Sequence, residues 1–183
     1  MTLRLAVDTD ADAVRAVHLA AFDRPGGASA PEAALVDDLR AAGDLVDALS
    51  FVAIAEGVVV GHVATSAGHV GARRVVAVGP LGVLPAWQGR GAGSALMHAV
   101  LGAAEALGEP CVVLLGAPAY YGRFGFEPAS RYGVAAPDPA WGGHFLIRPL
   151  PAWGAGMVGT FRYPAAFDRL GAADRDGAAE PGW

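Results

Sequence analysis

Residues 79–100 read GPLGVLPAWQGRGAGSALMHAV, and the fold turns on how this stretch is built. Arg74 to Leu84 has the alternating apolar pattern of a strand, and Gly89, Gly91 and Gly93 crowd the loop after it. Leu96, Val100, Ala103 and Leu107 then recur at helical spacing until Gly108, and the apolar run Cys111 to Leu115 follows as a short buried strand. A strand, a glycine loop, a helix and a second strand in that order form a crossover unit, so the two strands are expected to run parallel. Backbone amides exposed by a loop that opens a helix are suited to an anion. Pro80 and Gly82 lie inside the first strand pattern, and a proline cannot donate to a ladder, so the pairing should be interrupted there.

Upstream, Leu3 to Val7 alternates like a strand. Thr9 with Asp12 three residues on gives a capping-box-like start for a helix that carries Val14, Val17 and Ala21 on one face and ends near Phe22. Ser29, Pro31 and Glu32 announce a second helix, with Leu35, Leu39 and Ala42 at helical spacing before Gly43. Phe51 to Ala55 and Val58 to Thr65 read as two strands joined by a tight turn at Glu56 and Gly57. Downstream, APAYYGRFGFEPAS holds a helical turn ended by Gly125, and Phe126 begins another strand. His144 to Leu150 and Met157 to Tyr163 look like two further strands that could pair with each other. Residues 1–170 are expected to form one domain, and the polar, glycine-bearing 171–183 a loosely held tail.

Composition excludes several classes of function. An apolar fraction of 54% suits a membrane protein, yet the longest apolar run, Val75 to Trp87, is broken by Gly79, Pro80, Gly82 and Pro85 and cannot span a bilayer. Asp8, Asp10 and Asp12 stand where a secretory signal would carry basic and then apolar residues, so a cytoplasmic location is expected. Cys111 is the only cysteine, which excludes an intrachain disulfide and a zinc site of several thiolates. A net charge of −5 without a basic stripe argues against nucleic acid as a partner.

The glycine loop fits neither of two common anion motifs. A dinucleotide fingerprint needs a third glycine where Leu96 stands, and a P-loop needs a lysine that the chain lacks altogether. A glycine turn that only reverses the chain is the plainer reading. LGVLPAWQGRGAGSAL, however, resembles the signature of the GNAT superfamily of N-acetyltransferases at Val83, Pro85, Gln88, Gly91 and Gly93. The family's second signature, an aromatic residue, Tyr, three residues, Gly and Phe, recurs at Tyr120 to Phe126. The resemblance covers Leu3 to about Phe167, with its sharp motifs between Gly79 and Phe126.

That resemblance implies an α/β protein with a mixed, mostly antiparallel sheet flanked by helices, which binds acetyl-CoA and acetylates a primary amine by direct attack in a ternary complex. It places the diphosphate on the amides of Gln88, Gly89, Arg90, Gly91, Ala92, Gly93 and Ser94, with Arg90 as a supplementary charge. It places the pantetheine arm beside the interrupted strand, on the backbone of Leu81 and Val83, either of whose amides could polarise the thioester carbonyl. Tyr121 matches the general acid position and Tyr120 a packing position, while His18 and His98 read as packing or surface residues. Val75 to Leu84 carries no carboxylate to act as base, which leaves His62 or His69 as the candidates. The family's Asn after the second crossover strand is absent, with Gly116 or Ala117 in that region. The residues around Trp141 and Trp153 are candidates to shape an acceptor pocket or a homodimer surface. Two rivals remain: a non-catalytic acetyl-CoA sensor, and a structural protein whose glycines only make a turn.

Overall fold

The computed structural model describes residues 1–23, 30–154 and 156–168. Ser29 and the tail 171–183 lie outside the described residues. The main sheet has the order β1 (Thr2–Leu5), β2 (Phe51–Ala55), β3 (Val58–Val70), β4 (Arg73–Val83), β5 (Cys111–Leu115), β8 (Phe145–Pro149) and β6 (Glu127–Pro128). β4 and β5 are parallel and every other pairing along this path is antiparallel. The crossover between β4 and β5 is α3 (Ala92–Ala106).

Neighbouring residues on β2 and β3 show how the layers form. Ala53 and Val63 pack with Leu96, Met97, Val100 and Ala104 of α3, whereas Val52 and Ala64 pack with Val14 of α1 (Ala11–Ala21) and Val36 of α2 (Pro31–Ala42). Successive strand residues point to opposite faces, so α3 covers one face and α1 with α2 the other. With both faces covered, β3 is buried over most of its 13 residues. That burial is why its central part does not show a half-exposed strand's polar alternation. Farther along the α1 side, Phe145, Phe161 and Ile147 form a second core with Val75, Ala77 and Val113, and half-buried Trp141 and Trp153 pack onto it.

Three local expectations are corrected. Thr9 makes no cap; the start of α1 is fixed instead by Asp10, whose carboxylate accepts from the Val7 amide at 2.9 Å and from both terminal nitrogens of Arg4 at 2.6 and 2.7 Å. Ala42 is exposed on α2, which ends at Gly43 with φ +71. The two late strands do not pair with each other: β8 joins β5 and β6, while β9 (Gly159–Arg162) joins the far end of β3 and the short β7 (Val134–Ala135). Their apolar faces are needed at opposite edges of the second core. The hairpin is as read, with Glu56 at φ +53 and Gly57 at φ +80 making its two-residue turn.

Candidate active site

β4 stays in register with β5 only at Val76 opposite Val112 and Ala77 opposite Val113. Beyond those pairs the two parallel strands separate. On its other side β4 keeps pairing with β3 down to Val83 opposite Gly61, with an irregularity where Gly79 and Pro80 face Ala64. The interruption expected at Pro80 is therefore present, but Gly82 is not part of it, because Gly82 remains paired with His62. Gly82 is small for another reason: a Cβ there would lie 2.8 Å from Nδ1 of His18 on α1. Gly82→Ala is expected to destabilise the protein by about 1–3 kcal/mol through this overpacking, read as a shift of the denaturant midpoint.

The Leu84 amide donates to the Val60 carbonyl at 2.9 Å. Hydrogen-bonding direction alternates along an antiparallel strand, so the backbone groups of Leu81 and Val83 point away from β3 and toward the gap that opens beside β5. Two residues expected to bind through their backbone thus have it facing the gap. The Val83 carbonyl also accepts from Nε2 of Gln88 at 3.1 Å, which ties the following loop to the strand.

The loop reaches α3 through two left-handed glycines, Gly89 at φ +70 and Gly91 at φ +87. A Cβ on either would meet nothing within 4 Å, so open space lies over both. Gly91 caps α3, no side chain caps its first-turn amides, and no acidic residue stands in that turn. Uncapped amides at the positive end of a 15-residue helix, facing open space, fit an oxyanion. Arg90 lies 5.2 Å from the centroid of the Trp87 ring at the edge of this loop. Gly93 is different: a Cβ there would come within 3.1 Å of the Tyr120 hydroxyl and 3.5 Å of Leu81 Cδ2. Tyr120 therefore reaches across from the β5 side to the first turn of α3.

Tyr120 and Tyr121 belong to the single-turn helix α4 (Pro118–Tyr121) that follows β5. The Tyr121 ring lies over Gly116, where any Cβ would overlap its Cε2 and Cδ2 atoms. Gly116, which lies in the region where the resemblance implies an Asn, is thus what admits this ring. Tyr121 also packs edge-on to Tyr120 at 4.9 Å and to Phe126 at 6.0 Å. Burial, with a smaller contribution from Tyr120, pushes its phenol up to about 12, so the hydroxyl keeps its proton throughout the working pH range.

The two candidate bases are far apart. His69 is exposed, opposite Arg74 and Arg162. It stands seven residues beyond His62 on the same strand, roughly 23 Å at about 3.3 Å per residue. His62 is 1% exposed and its Nδ1 lies 2.8 Å from His18 Nε2. Burial lowers the His62 pKa to about 3, with Arg40 lowering it further and Asp10 opposing; burial, then His62, hold His18 well below the usual range. His62 also lines a cavity of about 230 Å³ with Asp8, Arg40, Asp47 and Ser50, on the β1–β3 side of the sheet rather than at the β4–β5 gap. Of the two roles left open for His18, packing or surface, the structure shows packing, on the same face of α1 as Val14 and Val17.

This pair sets a pH dependence. Both imidazoles are neutral when folded but take up protons near 6.5 when unfolded, so the unfolded chain binds more protons below that pH. Their contribution is fully present above about pH 6.5 and is lost as the pH falls toward the folded pKa of His62, about 3. Urea unfolding is expected to show stability falling between pH 6.5 and 5 by up to about 1.4 kcal/mol per pH unit for each histidine, and His62→Gln should flatten that slope. The lowered pKa of Asp10 acts only below this window.

The model of the acetyltransferase (GNAT) family matches residues 11–126. The uncharacterized N-acetyltransferase YhbS of Escherichia coli K12 is 34% identical over 174 residues, covering 93% of this chain and all of that protein. The uncharacterized N-acetyltransferase YjhQ of the same strain is 34% identical over 169 residues, covering 88% of this chain and 91% of that protein. The crystal structure of E. coli YhbS in complex with CoA superposes with a TM-score of 0.84 at 32% identity, over 92% of each chain. A GNAT family acetyltransferase from Brucella melitensis in complex with acetyl-CoA gives 0.75 at 34% identity, over 91% of this chain and 97% of that one. With the splayed parallel pair, the uncapped crossover helix and matches that span nearly its whole described length, the chain belongs to the GNAT family of acetyltransferases.

Proposed function

We propose that the protein transfers an acetyl group from acetyl-CoA to a primary amine by direct attack in a ternary complex, with residues 1–170 acting as one cytoplasmic domain. Among the described residues no helix is long and apolar enough to cross a membrane. The carrying observation is the gap beside β4, onto which the backbones of Leu81 and Val83 face, ending at the uncapped start of α3 under open space at Gly89 and Gly91. An extended arm ending in a diphosphate has that outline, and relatives at 32% and 34% identity were crystallised with CoA and acetyl-CoA.

In this reading the amides from Gln88 to Ser94 hold the diphosphate, with Arg90 beside them. The amide of Leu81 or Val83 polarises the thioester carbonyl. Tyr121 delivers the proton that the departing thiolate needs; its raised pKa keeps it protonated and makes it a weaker acid than a free phenol. His62 is given no base role, since a nitrogen with a pKa of about 3 holds a proton poorly, and His69 lies far along β3; the amine proton passes to water. The second reading, a non-catalytic acetyl-CoA sensor, is favoured by the carboxylate-free β4 and by the absence of the implied Asn in the region of Gly116 and Ala117. Calorimetry with acetyl-CoA tests the common ground, where one site per chain is expected and no saturable heat overturns both. Thiol release with a panel of primary amines separates them, since a sensor binds without turnover.

A further inference from the structure

The arginines of this chain sort by what they answer. Arg4, Arg15, Arg40, Arg74 and Arg131 each face a carboxylate. Arg123 does not: among the described residues it has no carboxylate partner within ion-pair distance, and its Nε donates to the Tyr120 carbonyl at 2.9 Å. That bond lays the guanidinium over the Tyr120 ring, 4.4 Å from its centroid, with the Phe124 ring 5.9 Å away. One edge of the group is thereby fixed on the protein. The two terminal nitrogens are left exposed with their donors unused, in the planar fork that suits a phosphate.

The place of this fork matters more than its charge. The hydroxyl end of the same Tyr120 ring touches the first turn of α3, 3.1 Å from where a Gly93 Cβ would stand. Arg123 is therefore held about one tyrosine ring away from the amides assigned to the diphosphate, and on the α4 side of them. Arg90 sits on Trp87 within the loop itself, among those amides. The two stacked cations thus address two positions rather than one. Coenzyme A carries, besides its diphosphate, a phosphomonoester on the 3′ carbon of its ribose, a short distance from the diphosphate and bearing close to two negative charges at neutral pH.

We propose that Arg123, positioned by Tyr120, is the receptor for the 3′-phosphate of coenzyme A and makes the protein prefer the full cosubstrate to its 3′-dephospho form. The inference rests on the acetyl-CoA reading given above. Stacking on an aromatic ring leaves the guanidinium edge free for hydrogen bonds, and a pair of charge-assisted bonds to a phosphomonoester is worth about ten- to a hundredfold in affinity.

The test is calorimetric titration of the full chain, wild type, Arg123→Gln and Arg90→Gln, with coenzyme A and with 3′-dephospho-coenzyme A. Wild type is expected to prefer coenzyme A by about tenfold or more, more strongly at low salt. Arg123→Gln should lose that preference by weakening only coenzyme A, while Arg90→Gln weakens both ligands alike and keeps it. Equal affinities in wild type would overturn the proposal, as would an Arg123→Gln protein that keeps the preference or loses both ligands equally. Failure of wild type to bind either ligand would instead sink the cofactor reading itself. Arg123 is exposed but stacks on Tyr120 and Phe124, so a thermal melt of Arg123→Gln accompanies the titration to establish that the variant is folded.

Discussion

Gly91→Glu is expected to abolish acetyl-CoA binding, lowering affinity by at least about a hundredfold, while the protein stays folded. Two effects act at this position and they can be separated. Gly91 has φ +87, so any side chain there strains the backbone by about 1–2 kcal/mol. Nothing lies within 4 Å of the new Cβ, so no core contact is lost and the strain should show only as a modest fall in melting temperature. The carboxylate adds bulk and a negative charge in the space assigned to the diphosphate, at the N-terminus of α3, where it would also satisfy the amides meant for the ligand. Gly91→Ala carries the strain without the charge, and should keep most of the affinity. Calorimetry and a thermal melt on both variants check this; wild-type affinity in Gly91→Glu would show that the loop is only a turn.

The second large effect is on rate. Tyr121→Phe is expected to lower kcat by about 10²–10⁴-fold with little change in acetyl-CoA affinity, because the ring that fills the space over Gly116 stays and only the proton donor goes. Since burial pushes the phenol up to about 12, its proton is present throughout the accessible range, and wild type should show no alkaline loss of rate from this group. Single-turnover measurements of thiol release, with the affinity measured separately, check the split. An unchanged kcat would return Tyr121 to the packing role its contacts with Tyr120 and Phe126 already give it.

Much of this was readable because it is local. The Glu56–Gly57 hairpin, the helix that begins just after Gly91 and the parallel β4–β5 pair follow from periodicity, from residues that tolerate positive φ, and from the handedness of a crossover. The glycine loop with its uncapped amides belongs with them, since the conformation of a few consecutive residues sets it. Gly82 shows the limit: its small size reads as a break in the ladder when only β4 is considered, yet its reason is His18, 64 positions earlier on α1.

The amino-acid sequence by itself therefore determined the crossover unit, the loop that can hold an anion and the two tyrosines beside it. Only the tertiary structure decided that β8 and β9 seek different partners, that Gly116 seats Tyr121, that His62 is buried against His18 instead of facing the gap, and that Arg123 stands on Tyr120 next to the α3 start. The physical reason is the range of the forces involved. Backbone preference and apolar period act over a few residues, whereas strand partners, burial and the pKa shifts that burial causes depend on which distant surfaces are brought together to exclude water.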